Sequence, residues 1–516
     1  MNSATKHSEP LYRAADLRVI ENAAADQPLM QRAGLAAASL ATALCGDAGG
    51  AILVLAGPGN NGGDAFEAAG HLRRRFYEVS VVFADDAGRL PADAAAAYRR
   101  FLDTGGSTLT SIPERAPGHS SVNARWALII DGLFGIGLQR EVGGRYGELV
   151  RAANALAARD GCPLLALDCP SGLDADTGQQ RGATIRASHT ISFIAGKPGL
   201  YTGDGPDHCG TVSIAALGLD AAQLAPAPGA TIGRDRFASH LQPRARNSHK
   251  GSHGNTGILG GASSMVGAAF LAGRAALKLG SGRVYLGLLE AQLPTQLPSF
   301  DPVQPELMLR RPEALFTAGL TALACGPGMG NSHQAVALLE EACALDLPLV
   351  LDADALNLVA AEGNLQVALA SRHGEQAPTL LTPHPAEAAR LLECDTAAIQ
   401  AERIAAAREI ASRYNACVAL KGCGTIVAAP DGRWFVNTTG NPGLASAGTG
   451  DVLTGFVTAL LAQGWPALEA LLAAVHLHGT AADELVAAGV GPIGLSTGEL
   501  IDSARGCFNR WVGSAG

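Results

Sequence analysis

Residues 51–76 read A-I-L-V-L-A-G-P-G-N-N-G-G-D-A-F-E-A-A-G-H-L-R-R-R-F. The run Ala51 to Ala56 has no polar face, which fits a strand buried on both sides. It breaks at Gly57-Pro58-Gly59, and a helix is expected over 65–76. A wholly apolar strand, a Gly-rich turn and a helix together open a parallel α/β sheet with both faces covered.

Outward from this stretch the unit recurs. Further strands are expected at 79–84, 126–131, 163–168 and 189–194, with helices at 91–102 and 145–158. The second half repeats the logic at 256–261, 283–289, 321–326, 348–352, 379–383 and 417–422, and then turns helical over 450–463 and 467–487. Between the halves, the stretch from Ala222 carries Pro226, Pro228 and Gly229 among small residues and suits a linker. Domains are therefore expected at 1–224 and 225–516, both α/β, with no internal repeat of 20–50 residues.

Composition narrows the function classes. The chain has 516 residues, 47% hydrophobic and 16% charged, which is ample for large cores and excludes a disordered chain. Its 38 Lys+Arg against 47 Asp+Glu leave a net charge of −9, poorly suited to nucleic acid or an anionic membrane. The ten cysteines are scattered with no C-x-x-C, fitting neither a zinc site nor a disulfide framework; reduced thiols in the cytoplasm are expected. The N-terminus is polar, without the apolar core of a secretion signal. No apolar run reaches the roughly 18 residues of a membrane span.

Three loops in the first half follow expected strand ends, the edge where ligands bind in open α/β sheets. They are Gly57-Pro58-Gly59-Asn60-Asn61-Gly62-Gly63-Asp64, Asp131-Gly132-Leu133-Phe134-Gly135-Ile136-Gly137 and Asp168-Cys169-Pro170-Ser171-Gly172-Leu173-Asp174. A Gly-rich turn can be only a tight turn, and an Asp that ends a strand can simply cap the next helix. Together, Asn61, Asp131, Asp168 and Ser171 form an oxygen-rich ring suited to a group I or II cation, or to acid–base work.

The combination N-N-G-G-D, D-G-L-F-G-I-G and D-C-P-S-G-L-D resembles the NAD(P)H-hydrate (NAD(P)HX) epimerase family over roughly residues 10–222. The resemblance implies a Rossmann-like three-layer domain with a mostly parallel sheet. By position, Asn60, Asn61, Gly62, Gly63 and Asp64 would bind the hydrate. Gly135, Ile136, Gly137, Leu138, Gln139, Arg140 and Glu141 would hold its phosphates, and Asp168 would contact the nicotinamide end. Asn61, Asp131 and Ser171 would coordinate potassium, and Asp168 is the acid–base candidate. Ala65 stands where the family often has Gly.

In the second half the most telling stretch is Asn441-Pro442-Gly443-Leu444-Ala445-Ser446-Ala447-Gly448-Thr449-Gly450-Asp451. Gly448 and Gly450 free backbone amides for an anion, and Asp451 sits where a helix begins, able to take a proton from an attacking hydroxyl. A plain Gly-rich turn with an Asp in the first helical turn is the alternative. Around it stand K-G-S-H-G (250–254), G-P-G-M-G (326–330), D-A-D-A-L-N (352–357), T-P-H-P-A-E (382–387) and K-G-C-G-T (421–425). His476 and His478 point to different helix faces and are read as structural.

G-T-G-D resembles the ribokinase-like superfamily, and the full set is similar to the ADP-dependent NAD(P)HX dehydratase family over about residues 232–512. By that resemblance Lys421, Gly422, Cys423, Gly424, Thr425 and Gly450 would bind the adenine nucleotide, and Ala268, Gly328, His384 and Asp451 the hydrate. Mg2+ and ADP as phosphoryl donor are implied; Asp352 and Asp354 are open as Mg2+ ligands or structural carboxylates.

Fused in this order, the halves resemble a bifunctional repair family for hydrated nicotinamide cofactors. Such a chain would interconvert (R)- and (S)-NAD(P)HX and dehydrate the S form through a phosphorylated intermediate, giving AMP and phosphate. A cytoplasmic homo-oligomer acting on NADHX and NADPHX is expected, with no nucleic acid or membrane partner. Two rivals stand beside it: a ribokinase-like small-molecule kinase releasing a stable phosphate ester, and a first half that only binds protein or RNA.

Overall fold

The computed structural model describes residues 7–46, 49–113, 116, 125–138, 140–289, 300–372 and 377–514. It divides into two compact units, Pro10–Gly229 and a second made of Ala230–Gly516 with the residues before Pro10. The first compact unit ends at Gly229, within a few residues of the expected linker, and the residues before Pro10 group with the second. The cause is local. Ser8 donates from its N–H and its hydroxyl to Asp235 at 2.9 and 2.7 Å, and the Thr231 N–H donates to the Glu9 carbonyl at 2.8 Å.

The first unit holds a sheet of β1 (Ala51–Ala56), β2 (Glu78–Phe83), β3 (Thr108–Leu109), β4 (Trp126–Gly132), β5 (Leu164–Leu167), β6 (His189–Phe193) and β7 (Thr211–Ala215). Their order is β3-β2-β1-β4-β5-β6-β7, and every pairing is parallel. Alternate side chains of β1 enter opposite cores. Ile52, Val54 and Ala56 join Ile20, Ala37, Phe66 and Phe101 from helices on one face, while Ala51, Leu53 and Leu55 join Leu149 and Val150 from helix Gly144–Asp160 on the other. This is the expected three-layer α/β arrangement. Strand order reverses between β1 and β4, so a crevice opens beyond their C-terminal ends.

One boundary differs with consequence. The helix after β1 spans Asn60–Arg74, not 65–76, so both asparagines lie in its first turn behind Gly59. Two glycines make that turn a poor helix on propensity alone. Tertiary packing overrides it, because Gly62 lies against the Gly57 carbonyl and Gly63 against Met30.

The second unit carries β8 (Asn255–Gly260), β9 (Arg283–Leu288), β10 (Met308–Arg310), β11 (Ala322–Cys325), β12 (Leu349–Leu351), β13 (Thr379–Leu381), β14 (Ala416–Leu420), β15 (Ile426–Ala428) and β16 (Trp434–Val436). Their order is β16-β15-β14-β13-β12-β11-β8-β9-β10. The sheet is parallel from β14 to β10; the β14–β15 and β15–β16 pairs are antiparallel. Val350, Leu380 and Ala419 face a core built with Val452, Phe456 and Leu460 of helix Thr449–Ala462. No helix among the described residues is long and apolar enough to cross a membrane.

Candidate active sites

In the first unit, Asp131 ends β4 wholly buried. It accepts the Ser171 N–H at 2.8 Å, the Ser171 hydroxyl at 2.7 Å and the Leu133 N–H at 3.2 Å. Burial outweighs these bonds and pushes its carboxyl up to about 6. Ser171 Oγ also accepts the Phe134 N–H at 2.9 Å, so the second and third loops are tied together. Asn61 is 7% exposed, yet neither its amide oxygen nor its nitrogen has a hydrogen-bond partner among the described residues. A buried amide without a protein partner calls for water, a ligand or an ion, and Asn61 lines a cavity that can admit one. The Asn61 side chain and Asp168 both face Gly135 in the second loop, while Asp131 and Ser171 are hydrogen-bonded to each other.

Asp168 follows β5 with φ +65°, held there by its N–H to the Ile191 carbonyl at 2.8 Å. Its Oδ2 accepts the Ile136 N–H at 3.1 Å, and its Oδ1 lies 2.7 Å from Lys197 Nζ. Lys197 is wholly buried and also donates to Ser192 Oγ at 2.7 Å and the Phe193 carbonyl at 3.3 Å. Gly135 lies between the two polar groups: a Cβ there would stand 2.7 Å from Asp168 Oδ2 and 3.4 Å from the Asn61 side-chain carbon.

These residues open into a cavity of about 790 Å³. Asn60, Asn61, Asp64, Gly135, Ile136, Gly137 and Asp168 line it, together with Glu21, Arg18 and Arg100. Gly62 and Gly63, and likewise Leu138, Arg140 and Glu141, are not among the lining residues, and Gln139 lies outside the described residues. Burial and then the charges of Asp168, Glu21 and Glu67 push Asp64 well above the usual carboxylate range, and burial also raises Glu21. Lys197 and Glu21 escape the reading of the sequence. Lys197 had a signal, since it sits in Gly196-Lys197-Pro198-Gly199, a turn just beyond a strand end.

In the second unit the chemistry again gathers at strand ends. Asp352 follows β12, and its Oδ1 lies 2.6 Å from Lys421 Nζ while its Oδ2 accepts the Thr454 hydroxyl at 2.8 Å. Burial alone would raise Asp352, but Lys421 and these hydrogen bonds hold it below its ordinary value. The Lys421 N–H donates to the Pro383 carbonyl at 2.8 Å, joining the loops after β13 and β14. Glu387, buried, reaches Lys421 at 3.9 Å and accepts the His384 N–H at 2.7 Å. His384 Nδ1 accepts the N–H groups of Ala386 and Glu387, capping helix Pro385–Leu391 and leaving the ring half exposed.

Gly448, with φ +88°, turns the chain into helix Thr449–Ala462, and the Thr449 hydroxyl bonds back to that turn. Asp451 lies in the first turn. Burial and the Asp352 charge push its carboxyl up to about 7. A Cβ at Gly450 would stand 3.5 Å from Lys421 Nζ and 3.7 Å from Asp352 Oδ2. Gly328 adjoins Ala268, since a Cβ at the glycine would stand 3.3 Å from the Ala268 Cβ. Asp354 Oδ2 accepts the Gly330 N–H at 2.8 Å.

Two motifs stay apart from this centre. Lys250–His253 form a short turn before β8, and a Cβ at Gly254 would strike the carbonyl of Ala462, at the far end of the helix that starts beside Asp451. His476 is buried with its ring 6.0 Å from Phe237 and 5.7 Å from Trp511. His478 is different: its Nε2 lies 3.0 Å from the Thr449 carbonyl, and burial lowers it to about 4, so it is a neutral donor at the start of the Asp451 helix. No group of three or more His, Cys, Asp or Glu side chains placed to hold a metal occurs among the described residues.

Comparison with known proteins is consistent across both units. A family model described as NAD(P)H-hydrate dehydratase matches residues 256–502, and one described as the YjeF-related protein N-terminus matches residues 26–199. The bifunctional NAD(P)H-hydrate repair enzyme Nnr of Escherichia coli (strain K12) is 37% identical over 97% of this chain and 94% of its own length. The Vibrio cholerae protein of the same name is 38% identical over 87% and 86%. Among solved structures, the Bacillus subtilis ADP/ATP-dependent NAD(P)H-hydrate dehydratase co-crystallized with ATP/Mg2+ is 31% identical, covering 55% of this chain and 98% of that one at a TM-score of 0.47.

Proposed function

The chain belongs to the bifunctional NAD(P)H-hydrate repair enzyme family, and from that membership we propose how its two units share the repair of hydrated nicotinamide cofactors. The first unit interconverts (R)- and (S)-NAD(P)HX; the ribokinase-like second unit dehydrates the S form with ADP. We assign the epimerase to Pro10–Gly229 and the dehydratase to the unit that holds Ala230–Gly516. The observation that carries this reading is Asp451, a carboxyl at about 7 placed one residue beyond Gly450, whose backbone stands against the Lys421–Asp352 pair.

In the dehydratase, Asp451 takes the proton of the hydrate's hydroxyl as that oxygen attacks the β-phosphorus of ADP. The bond to AMP breaks, the phosphate ester forms, and the ring nitrogen's electron pair then expels phosphate. Loss of a proton from the neighbouring carbon restores the double bond of NAD(P)H. Gly450 and the loop Lys421–Thr425 hold the nucleotide, and Ala268, Gly328 and His384 meet the hydrate. Mg2+, when bound, would neutralise charge on the nucleotide's phosphates; Asp352 is engaged by Lys421 and Thr454, and Asp354 accepts the Gly330 N–H through Oδ2.

In the epimerase, Asn60, Asn61, Asp64 and the loop from Gly135 embrace the hydrate, with the loop toward its phosphates. Asp168 faces the nicotinamide end as the acid–base group. Asn61, Asp131 and Ser171 are the residues that would hold potassium, which when bound would supply positive charge beside the loops. The net charge of −9 and the scattered cysteines, with no C-x-x-C, suit a cytoplasmic enzyme of small molecules, assembled as a homo-oligomer and without nucleic acid or membrane partners.

The test is recovery of 340 nm absorbance from mixed (R)- and (S)-NADHX with ADP, Mg2+ and K+. Full recovery by the native chain, recovery of the S fraction alone by Asp168→Ala and none by Asp451→Ala is the expected result. No recovery, with nucleotide consumed on some other alcohol, would replace this reading with a small-molecule kinase.

A further inference from the structure

We infer that Lys421 belongs to the phosphoryl-transfer centre of the dehydratase and not to the contacts that hold adenine or ribose. Asp352 is the positioning residue that aims it. This rests on the dehydratase reading above and assigns a role that a nucleotide-binding loop alone would not give its first residue.

The loop divides at Lys421. Its N–H is tied to the Pro383 carbonyl at 2.8 Å and its own carbonyl accepts the buried Arg403 at 3.3 Å, so the backbone there is fixed. From that anchor the side chain runs inward, whereas Cys423 is exposed. The ammonium ends 2.6 Å from Asp352 Oδ1 and 3.5 Å from the place a Cβ would occupy on Gly450. It therefore lies beside the Gly450 backbone at the start of the Asp451 helix.

Asp352 cannot swing away. Its other oxygen accepts the Thr454 hydroxyl at 2.8 Å, and Thr454 lies three residues after Asp451 on the same helix. Residues three apart share a helix face. The base and the anchor of the lysine's partner are thus carried on one rigid element. An ammonium has three donors; among the described residues one is hydrogen-bonded to Asp352, and Glu387 faces the ammonium at 3.9 Å, beyond hydrogen-bond reach. Two remain for phosphoryl oxygens.

The chemistry uses this placement. As the hydrate's hydroxyl oxygen bonds to the β-phosphorus of ADP, the bond from that phosphorus to the bridging oxygen breaks and its electron pair leaves with AMP. The hydroxyl proton passes to Asp451. Charge spreads over the three oxygens of the transferring group, and Lys421 meets it there with fixed donors, the arrangement that stabilises a transition state more than a ground state.

Steady-state kinetics of the full chain with (S)-NADHX, ADP and saturating Mg2+ test the assignment. In Lys421→Met, kcat falls about 10²–10³-fold while the KM for ADP moves less than about threefold. Asp352→Asn follows the same pattern, and Thr425→Ala raises the KM instead. Lys421→Ala regains kcat when ethylammonium is added and does not respond to tetramethylammonium, which would be unmoved by a purely structural role. Epimerase activity of the first unit and the thermal transition report whether each variant is folded. A Lys421→Met enzyme that keeps kcat and raises the KM for ADP about tenfold overturns the inference. A native chain that leaves (S)-NADHX unchanged overturns the dehydratase reading on which it rests.

Discussion

Lys197 Nζ stands 2.7 Å from Asp168 Oδ1 with the lysine wholly buried, and this pair fixes one of the acidic side chains that line the cavity of the first unit. Lys197 is saturated: its remaining donors go to Ser192 Oγ and the Phe193 carbonyl. Removing one partner of a buried pair typically costs about 3–5 kcal/mol, because the other charge is left uncompensated. Lys197→Met should therefore lower the denaturant midpoint of the first unit and abolish conversion of (R)- to (S)-NADHX. Dehydration of pure (S)-NADHX by the same protein should persist. A variant with an unchanged midpoint would show that Asp168 needs no counter-charge.

Asp451 gives a pH dependence with a definite sign. Its carboxyl is pushed up to about 7 in the ligand-free chain, so dehydratase kcat/KM should fall as pH drops below about 7 and the base becomes protonated. Stability runs the other way. A carboxyl raised on folding binds its proton more tightly in the native state, so the folded chain loses stability as pH rises from the unfolded value through about 7. Asp451→Asn should abolish activity yet be more stable than the native chain at pH 8, on the order of 1–3 kcal/mol. That advantage should shrink toward pH 4. Urea unfolding at the two pH values measures it.

Potassium should act through Asn61, whose buried amide has no partner among the described residues. Replacing KCl by NaCl or LiCl should slow epimerisation and lower the first unit's thermal transition, without touching the dehydratase. In potassium-free buffer Asn61→Leu should cost almost nothing in stability, since no hydrogen bond is lost. Ser171→Ala should cost about 1–3 kcal/mol, because it strips Asp131 of a hydroxyl donor in a buried site. Equal losses in both variants, with no difference between salts, would remove the ion from this site.

The fold was legible wherever strands are buried on both faces. Ala51–Ala56 and Leu164–Leu167 have no polar residue to blur the pattern, and the loops at their ends carry the acidic centre. The edges were not. Thr211–Ala215 is half wet, and Ile426–Ala428 with Trp434–Val436 forms an antiparallel hairpin whose Pro430-Asp431-Gly432 turn was the available signal. Site residues ending a strand or opening a helix, such as Asp131, Asp168 and Asp451, could be read from position. The Lys421–Asp352 pair could not, because 69 residues separate the two and only the sheet order brings them together, whereas Lys197 had a signal in its turn beyond a strand end. The Lys250–Gly254 motif shows the reverse: it stood out in the sequence, yet it lies at the wrong end of the helix from Asp451.

The glycines of the first unit separate packing from ligand approach. A Cβ at Gly62 would stand 1.9 Å from the Gly57 carbonyl oxygen, a clash with backbone that no side-chain adjustment relieves. Gly62→Ala should cost about 1–3 kcal/mol or more, and any loss of epimerase activity should follow from the displaced helix start. Gly137 has nothing within 4 Å of such a Cβ and lines the cavity. Gly137→Ala should leave the thermal transition within about 0.5 kcal/mol of native. Its effect should fall on binding alone, raising the KM for NADHX about tenfold if the added methyl holds the phosphates off the backbone. Both residues follow strand ends in Gly-rich sequence, Gly62 in the first turn of helix Asn60–Arg74 and Gly137 in a loop, and the reading of the site depends on their behaving differently. A Gly137→Ala enzyme with native KM would move the phosphates away from this loop, whereas a Gly62→Ala enzyme of native stability would mean that the Asn60–Arg74 helix can start elsewhere without losing Asn61 from the site.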